Sequence, residues 1–267
     1  MDSQFFIFLL LLHAVVQGKM DTETRFDQNY EVIWGDDHVV SLNQGRQIQL
    51  TMDNSSGSGF GSKMAYGSGF FHMRIKLSSE GSKHDELDFE FLGNREGKPY
   101  RLQTNVFVDG QGNREQRIRL WFDPSADFHS YRILWNQHQI VFYVDNVPIR
   151  VYRKKTNIGV GYPSKAMQIE ATLWDAESWA TNGGKTKTDW SYAPFKANFQ
   201  GFDVSACQVL TSNAKNCSSD NYWWNSQKFW QLDPLRQSQY ERIKHKYMTY
   251  DYCTDRKRYP EIPLECL

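Results

Sequence analysis

The sequence predicts an all-β fold, an antiparallel β-sandwich with a short helix-containing extension at its C-terminal end. Two observations carry this prediction. Short segments in which apolar and polar residues alternate recur along the 267 residues, with turn residues between them. No pattern of strands alternating with helices occurs, and many short strands without such helices are typical of antiparallel sandwiches. The helical pattern is confined to the last part of the chain.

The first residues predict a secretion signal. Residues 5–16 are an apolar run of the length of a signal core, too short for the roughly 20 residues that a membrane helix needs. Small residues at 16 and 18 favour cleavage after Gly18, so that the mature chain begins near Lys19. Residues 1–4 lack the basic residues of a typical leader. The alternative is a buried N-terminal helix, although nothing amphipathic follows to anchor it.

Three later segments carry clear strand patterns. Residues 71–77 alternate throughout, with apolar residues at odd positions, and residues 167–174 follow the same pattern up to Trp174. Alternation places one set of side chains on each face of a strand. Residues 134–151 predict paired strands, because Asp145 and Asn146 mark a turn between apolar runs.

A row of acids is the most informative pattern in the chain. Glu86, Asp88 and Glu90 occupy every second position, with Leu87 and Phe89 between them. On a strand, this spacing places three carboxyl groups on one face and apolar groups on the other. Acidic residues are depleted from strands and stacked like charges repel, so folding alone would not select the row. A pair of acids on either side of a glycosidic bond explains it best.

The spacing is compatible with a retaining glycosidase. At about 3.3 Å per residue, the Cα atoms of Glu86 and Glu90 lie about 13 Å apart on a regular strand. Side chains that lean toward each other leave their carboxyl groups about 5 to 6 Å apart, near the separation typical of retention. One acid must be ionised and the other protonated, and Asp88 would orient and tune a neighbour. The spacing does not decide which glutamate has which role.

The residues around the row resemble a known active-site signature. The string His-Asp-Glu-Leu-Asp-Phe-Glu-Phe-Leu-Gly-Asn at 84–94 is similar to that of plant xyloglucan endotransglucosylase/hydrolases, a branch of glycoside hydrolase family 16. The resemblance extends over nearly the whole mature chain. Further matching strings are Gln-Thr-Asn at 103–105, Asn-Arg-Glu-Gln at 113–116, Trp-Asp-Ala-Glu-Ser-Trp-Ala-Thr-Asn-Gly-Gly at 174–184 and Tyr-Cys-Thr-Asp-Arg-Lys-Arg-Tyr-Pro at 252–260.

The resemblance implies a jelly-roll sandwich and assigns the catalytic roles. It makes Glu86 the nucleophile, Glu90 the acid/base and Asp88 the residue that assists them. We predict no cofactor. The resemblance also implies a set of residues that contact the glucan. These are Glu90, Gln103, Thr104, Asn105, Asn113, Arg114, Glu115, Ser178, Trp179, Gly183 and Arg258. From the residues alone, the alternatives are solvated strand and turn residues, a core tryptophan and a solvated basic loop.

All four cysteines lie in the last quarter of the chain. An even number in a secreted protein predicts two disulfides, for which three connectivities are possible. The resemblance implies that sequence neighbours pair, Cys207 with Cys217 and Cys253 with Cys266. A zinc site is the competing interpretation, but no Cys-x-x-Cys spacing occurs.

The C-terminal stretch changes from strand to helix patterns. Asp233 is suited to cap a helix whose first residue is Pro234. Apolar residues then recur at helical spacing, at Leu235, Ile243 and Tyr247. We predict a helix at about 234–249 and, for the whole chain, a signal at 1–18, a catalytic sandwich at 19–205 and an extension at 206–267. The resemblance implies that the extension lengthens the cleft on the acceptor side.

Charge and composition favour a neutral ligand. Lys plus Arg and Asp plus Glu number 31 each and form no long block, which argues against nucleic acid or an anionic membrane as partner. Abundant Trp and Tyr residues suit the flat faces and hydroxyls of sugars. His84 shares a face with the acid row, but no established metal motif is present, and we predict no metal. We expect a monomer.

Two N-glycosylation acceptors are predicted, Asn54 and Asn216. The family often carries an acceptor just after the acid row. Here Asn94 is followed by Arg95 and Glu96 and fails the Asn-x-Ser/Thr rule, so any glycan is expected elsewhere.

The predicted function is retaining cleavage of the β-1,4-glucan backbone of xyloglucan, followed by transfer of the glycosyl unit to another xyloglucan chain. The donor and acceptor chains are then the partners, and the secreted enzyme would remodel the cell wall from the apoplast. A predominantly hydrolytic enzyme and a non-catalytic glucan-binding sandwich are the alternatives. The same chemistry on another glucan also remains open.

Overall fold

A computed structural model of the chain describes residues 24–72, 76–78, 84–93, 99–178, 184–210 and 217–267. The predicted signal peptide and the central part of the strand predicted at 71–77 lie outside these residues.

The described residues form fifteen β-strands and two α-helices. The helices are α1 (Phe26–Asn29) and α2 (Pro234–Tyr247). The strands are β1 (Tyr30–Trp34), β2 (Val39–Leu42), β3 (Gln47–Met52), β4 (Ser58–His72), β5 (Lys76–Ser78), β6 (Glu86–Leu92), β7 (Arg101–Phe107), β8 (Gln116–Arg119), β9 (Tyr131–Trp135), β10 (Gln139–Val144), β11 (Val147–Arg153), β12 (Met167–Leu173), β13 (Phe195–Gln200), β14 (Ser205–Val209) and β15 (Met248–Asp251).

The strands form two layers that share one long strand. The first half of β4 pairs with β1 and β12, and its second half pairs with β14 and β9. From β12, the first layer continues through β5, β6, β7 and β8 to β15, whereas the second layer continues from β9 through β10 to β11. A separate small sheet contains β13, β3 and β2. All strand pairs among the described residues are antiparallel, which confirms the predicted sandwich class.

The main core lies between the two layers. Leu87 and Phe89 of β6 belong to the same buried cluster as Ile133 and Phe142 of the second layer. The rings of Phe89 and Phe142 meet edge to face with centroids 5.2 Å apart. Burying side chains of this size stabilises the fold by about 1.5–3 kcal/mol each. The apolar face of β6 is therefore fixed against the second layer, and its carboxyl face points the other way.

The predicted hairpin and the strand predicted from residue 167 are both confirmed. Strands β10 and β11 pair with Val144 opposite Val147, so Asp145 and Asn146 form a two-residue turn. Both have positive φ angles, 49° and 70°, as a hairpin turn that matches the twist of the strands requires. The second segment is β12, which ends at Leu173.

The helix of the extension begins where the sequence predicts. The carboxylate of Asp233 accepts a hydrogen bond from the backbone N–H of Arg236, and Pro234 is the first helical residue. The helix ends at Tyr247 rather than near 249, because the next residues form β15 and pair with β8. Of the apolar residues that recur at helical spacing, Ile243 is buried, whereas Leu235 is 70% exposed.

The extension packs on the outer face of the second layer. Leu134, Val141 and Tyr143 form a second buried cluster with residues of the extension, which include Trp224 and Tyr240. The predicted boundary between sandwich and extension, at 205 and 206, lies inside β14, which pairs with β4.

The implied disulfide pairing is confirmed. Cys207 is bonded to Cys217, and Cys253 to Cys266, with Cα atoms 5.4 and 5.6 Å apart. Among the described residues, no helix has the length and apolar character needed to cross a membrane.

Candidate active site

The acid row lies on β6, as its alternation predicts. Strand β6 pairs with β7 without a break in register from Glu86 to Leu92, so it is regular over the row. The three acids face away from the core, and Glu86 and Asp88 are only 7% and 4% exposed. A regular strand is the condition under which the carboxyl groups of Glu86 and Glu90 come as close as the sequence predicts.

The carboxylate of Glu86 contacts a histidine on its own segment. His84 Nε2 lies 3.1 Å from Oε2 of Glu86. The imidazole ring stacks on Phe107, with centroids 5.5 Å apart, and Phe107 is the residue opposite Glu86 on β7. Because the ring is held by this stacking, His84 restrains the orientation of the Glu86 carboxylate.

Asp85 fixes the start of the strand to two loops. It is 1% exposed, and its Oδ1 accepts a hydrogen bond from the backbone N–H of Asp109 at 2.9 Å. Its Oδ2 accepts from the N–H groups of Ser164 and Lys165 at 2.7 and 2.9 Å. A buried carboxylate with three such donors is a structural anchor. Asp85 therefore positions its neighbours Glu86 and His84.

Glu90 has the environment that a general acid requires. It lies opposite Gln103 in the register of β6 and β7, and Gln103 Nε2 donates to its Oε2 at 2.9 Å. Burial raises the pKa of Glu90, and the charges of Glu115 and Glu86 raise it further. The hydrogen bond from Gln103 and the charge of Arg117 oppose these effects without cancelling them. Glu90 thus holds its proton to higher pH than an ordinary glutamate.

A polar cluster of Asn113, Glu115 and Arg258 lies close enough to Glu90 for the charge of Glu115 to raise its pKa. The guanidinium of Arg258 donates to Glu115 Oε2 at 2.7 Å and to Asn113 Oδ1 at 2.5 Å. The side chain of Arg258 is 37% exposed, so part of the cluster remains open to solvent. Three residues predicted to bind the glucan, from the segment before β8 and from the extension, are thus brought together.

Asn105 shares the face of the acid row. It lies opposite Asp88 in the register and is 5% exposed. Its Oδ1 accepts from the backbone N–H groups of Val106 and Arg114 at 2.9 and 3.0 Å. Its amide oxygen therefore holds the backbone of the loop that carries Asn113 and Glu115.

Two predicted binding residues point elsewhere. The side chain of Thr104 lies on the core face of β7, where its Oγ1 accepts a hydrogen bond from Arg150 at 3.0 Å. The guanidinium of Arg114 binds Glu265 at 2.7 Å and the carbonyl oxygen of Gln111 at 2.6 Å. The structure therefore gives both side chains contacts within the scaffold, because residues next to one another on a strand or turn face different ways.

The remaining predicted binding residues lie between β12 and β13. Ser178 is exposed, and Trp179 and Gly183 lie outside the described residues. Gly184 has a φ of +81°, and a Cβ atom there would lie 2.3 Å from the carbonyl oxygen of Ser178. The segment therefore requires glycine at 184. Trp174, which directly follows β12, is 49% exposed.

Sequence reasoning missed Arg117 and Tyr250. Arg117 Nε donates to Gln103 Oε1 at 2.5 Å, and its guanidinium lies over the ring of Tyr250, 5.1 Å from the centroid. The alternation of Arg117, Ile118 and Arg119 was a signal that could have identified β8 and its polar face. Tyr250 carried no such signal, because its segment follows a helix directly.

Within the residues that the structure describes, no group of three or more His, Cys, Asp or Glu side chains is arranged to hold a metal ion. The chemistry that the acid row supports needs only proton transfer and nucleophilic attack by carboxyl groups.

Comparison with known families gives two matches. Residues 26–192 match the family "Glycosyl hydrolases family 16", and residues 217–266 match "Xyloglucan endo-transglycosylase (XET) C-terminus". The chain is 54% identical to xyloglucan endotransglucosylase/hydrolase protein 2 of Arabidopsis thaliana, over 98% of this chain and 94% of that protein. It is 48% identical to xyloglucan endotransglucosylase protein 2 of Diospyros kaki, over 97% and 94%.

Solved structures share the fold at low sequence identity. A prokaryotic β-1,3-1,4-glucanase (lichenase) from a mouse hindgut metagenome aligns with a TM-score of 0.52 at 20% identity, over 70% of this chain and 97% of that chain. The Crh5 transglycosylase in its apo form aligns with a TM-score of 0.53 at 19% identity, over 70% and 80%. Both support the predicted jelly-roll class.

Proposed function

Because this chain belongs to glycosyl hydrolase family 16, in its xyloglucan endotransglucosylase/hydrolase branch, we propose that it cleaves the β-1,4-glucan backbone of xyloglucan with retention and transfers the fragment to another xyloglucan chain. The observation that carries the proposal is the acid row on β6. It presents two glutamates on one face of a regular strand, and their surroundings differ.

The proposed roles follow from those surroundings. Glu86, held by His84, attacks the anomeric carbon and forms the glycosyl-enzyme bond, while Glu90 donates its proton to the departing glycosidic oxygen. In the second step, Glu90 takes a proton from the acceptor hydroxyl, which attacks the anomeric carbon and releases Glu86. Asp88, between the two glutamates, stabilises their different charge states electrostatically.

Transfer requires that an acceptor hydroxyl reaches the intermediate before water does. Several contacts with a sugar chain hold its attacking hydroxyl in position and so raise its effective concentration at the anomeric carbon. A free water molecule has no such contacts to position it. Strand β15 extends the first layer beyond β8, on the side of Gln103 and the cluster of Asn113, Glu115 and Arg258. We propose this side as the acceptor side and the cluster as its binding residues.

The remaining functional assignments are also proposals. The protein is secreted after loss of residues 1–18, acts on cell-wall xyloglucan as a monomer, and carries its binding residues on a sandwich and extension divided near 205. Asn54 lies exposed on the turn between β3 and β4, where a glycan would not disturb the fold. Asn216, the second predicted acceptor, lies outside the described residues.

The test combines xyloglucan with a labelled xyloglucan oligosaccharide. We expect the unchanged enzyme to place label in the polymer fraction, and Glu86→Ala and Glu90→Gln to give no transfer. With an activated aryl glycoside as donor, Glu90→Gln should again form the glycosyl-enzyme. That recovery is expected because a good leaving group needs no proton.

The control is Glu241→Gln, an exposed acid on α2, which should transfer label like the unchanged enzyme. Reducing ends released without label in the polymer would reject transfer in favour of hydrolysis. Full turnover by Glu86→Ala would reject the catalytic assignment altogether.

A further inference from the structure

Glu90 is the first member of a row of side chains that crosses three more strands. In the backbone register, Glu90 lies opposite Gln103, Gln103 opposite Arg117, and Arg117 opposite Tyr250. Gln103 Nε2 donates to Glu90 Oε2 at 2.9 Å, and Arg117 Nε donates to Gln103 Oε1 at 2.5 Å. The row therefore connects the proposed acid/base to the strand that the extension contributes.

Arg117 determines which way the amide of Gln103 points. The two ends of a glutamine amide are similar in shape but opposite in function, since the oxygen accepts and the nitrogen donates. A guanidinium carries only donors, so the end that faces Arg117 must be the oxygen. The nitrogen of Gln103 must then face Glu90.

This orientation also determines which oxygen of Glu90 carries the proton. Oε2 accepts from Gln103, and in a neutral carboxyl group the carbonyl oxygen is a better acceptor than the hydroxyl oxygen, so this hydrogen bond favours the proton on the other oxygen. The proton of neutral Glu90 therefore lies on Oε1, the oxygen that is left to meet the glycosidic oxygen. We propose that Arg117 is a positioning residue that acts through Gln103 to keep the transferable proton of Glu90 on Oε1. The proposal rests on the proposed function, in which Glu90 is the acid/base.

The position of Arg117 is itself fixed by the extension. Its guanidinium lies over the ring of Tyr250, and its backbone carbonyl accepts a hydrogen bond from Thr249 Oγ1 at 3.2 Å. Such a cation–π contact attracts the guanidinium to the ring face and so restrains its position. The extension thus reaches the acid/base without touching it.

Loss of Arg117 has a defined electrostatic sign. Burial, Glu115 and Glu86 raise the pKa of Glu90, whereas Gln103 and Arg117 lower it. Without Arg117 the pKa rises, and a turned amide would raise it further by accepting the proton of Glu90. The general acid must be protonated, so the rate falls as pH rises through its pKa, and this alkaline limb should move to higher pH.

The experiment compares Arg117→Gln with Arg119→Gln, an exposed arginine two positions further along the same strand. For Arg117→Gln, we expect kcat on xyloglucan to fall about tenfold with little change in KM, and the alkaline limb of kcat/KM to move to higher pH. With an activated aryl glycoside donor, the loss in glycosyl-enzyme formation should be less than about threefold, because that leaving group needs no proton. Arg119→Gln should behave like the unchanged enzyme in all three measurements.

Two further variants separate positioning from binding. Arg117→Lys keeps a donor toward Gln103 and should recover part of the loss. In a Gln103→Ala background, adding Arg117→Gln should lower kcat on xyloglucan by less than about threefold, because Gln103, through which Arg117 acts, is already gone.

Equal losses on both donors, a full additional loss in the Gln103→Ala background, or a matching loss in Arg119→Gln would overturn the proposal. The proposed function is tested separately by Glu90→Gln. If Glu90→Gln still turns over xyloglucan, the proposed function fails, whereas an inactive Glu90→Gln beside an unchanged Arg117→Gln rejects the positioning role alone.

Discussion

At the scale of single residues, the acid row consists of similar carboxyl groups that their neighbours make different. Glu86 has a histidine nitrogen 3.1 Å from its carboxylate, whereas Glu90 accepts from an amide and has its pKa raised by the charges of two further acids. Burial and like charge favour the protonated form of Glu90. Two identical side chains on one strand thus have different surroundings, as their proposed roles as a pair of glycosidase acids require.

Glu115 provides a test of how that difference arises. Its charge raises the pKa of Glu90, so Glu115→Gln should lower it. Arg258, released from its ion pair with Glu115, would add a nearby positive charge and shift the pKa in the same direction. We therefore expect the alkaline limb of kcat/KM to move to lower pH, measured as a pH profile of transfer to a labelled acceptor.

The measured quantity is the pH at which kcat/KM falls on the alkaline side. The maximum of kcat/KM is not used, since Glu115 is also a proposed acceptor contact and its loss could lower that maximum by itself. Glu241→Gln, which removes an acid from the exposed face of α2, is the matched control and should leave the limb in place. An alkaline limb at unchanged or higher pH in Glu115→Gln would show that the charge of Glu115 does not raise the pKa of Glu90.

Sequence patterns pointed to the candidate site residues that share a local pattern, and they missed those whose place in the site depends on three-dimensional partners. The alternation from Glu86 to Glu90 predicts which side chains share a face, because strand periodicity is a local property of the sequence. The roles of Asp85 and Arg117 could not be predicted in this way, since they depend on loops and strands distant in the sequence. Thr104 shows the converse, because the string match says nothing of the partner that its side chain has in the fold, Arg150.

At the scale of elements, β7 connects the site to the core through its two faces. Gln103 and Asn105 lie on the face of the acids, and Thr104 between them binds Arg150. Arg150 is 2% exposed and donates to both the hydroxyl and the carbonyl of Thr104, at 3.0 and 2.8 Å. Burial lowers the pKa of its guanidinium, because removing the charge from water is unfavourable. The charged side chain therefore depends on its hydrogen-bond acceptors.

Removing either partner of this pair should destabilise the protein. Thr104→Val deprives a buried guanidinium of an acceptor, and Arg150→Met leaves a buried hydroxyl without its donor, so each should cost about 1–3 kcal/mol. The double variant should cost less than the sum by about 1 kcal/mol or more, because both polar groups are replaced together. Urea unfolding of the four proteins measures these free energies.

The control is Thr156→Val, which changes an exposed threonine and should alter the free energy of unfolding by less than about 0.5 kcal/mol. If the two core substitutions were simply additive, Arg150 and Thr104 would not form an energetic pair.

The elements that the sequence predicted well are those specified locally. Asp145 and Asn146 select a hairpin turn, and Asp233 with Pro234 starts a helix, through contacts within a few residues. The end of α2 was missed because no local signal ends it. Residues 248–251 become a strand only because β8 offers an edge to pair with, and that edge lies more than a hundred residues earlier.

At the scale of the whole molecule, the extension is part of the sandwich rather than an appendage. It covers the outer face of β9 and β10 and adds β15 to the layer that carries the acid row. Both faces of β10 are therefore buried, which explains why its six residues are continuously apolar except at Gln139. A single structural unit should unfold cooperatively.

Trp224 tests this cooperativity. It is 5% exposed, its Nε1 donates to Ser68 Oγ on β4 at 3.0 Å, and it packs with Leu134 and Val141. Trp224→Ala should therefore lower the free energy of unfolding by about 3–5 kcal/mol, whereas Leu235→Ala, at an exposed site of the same extension, should change it by less than about 0.5 kcal/mol. Calorimetry should show one transition for each protein, at lower temperature for Trp224→Ala. Because the extension and the sandwich share this cluster, a variant whose extension unfolded in a separate, earlier transition would contradict the single-unit description.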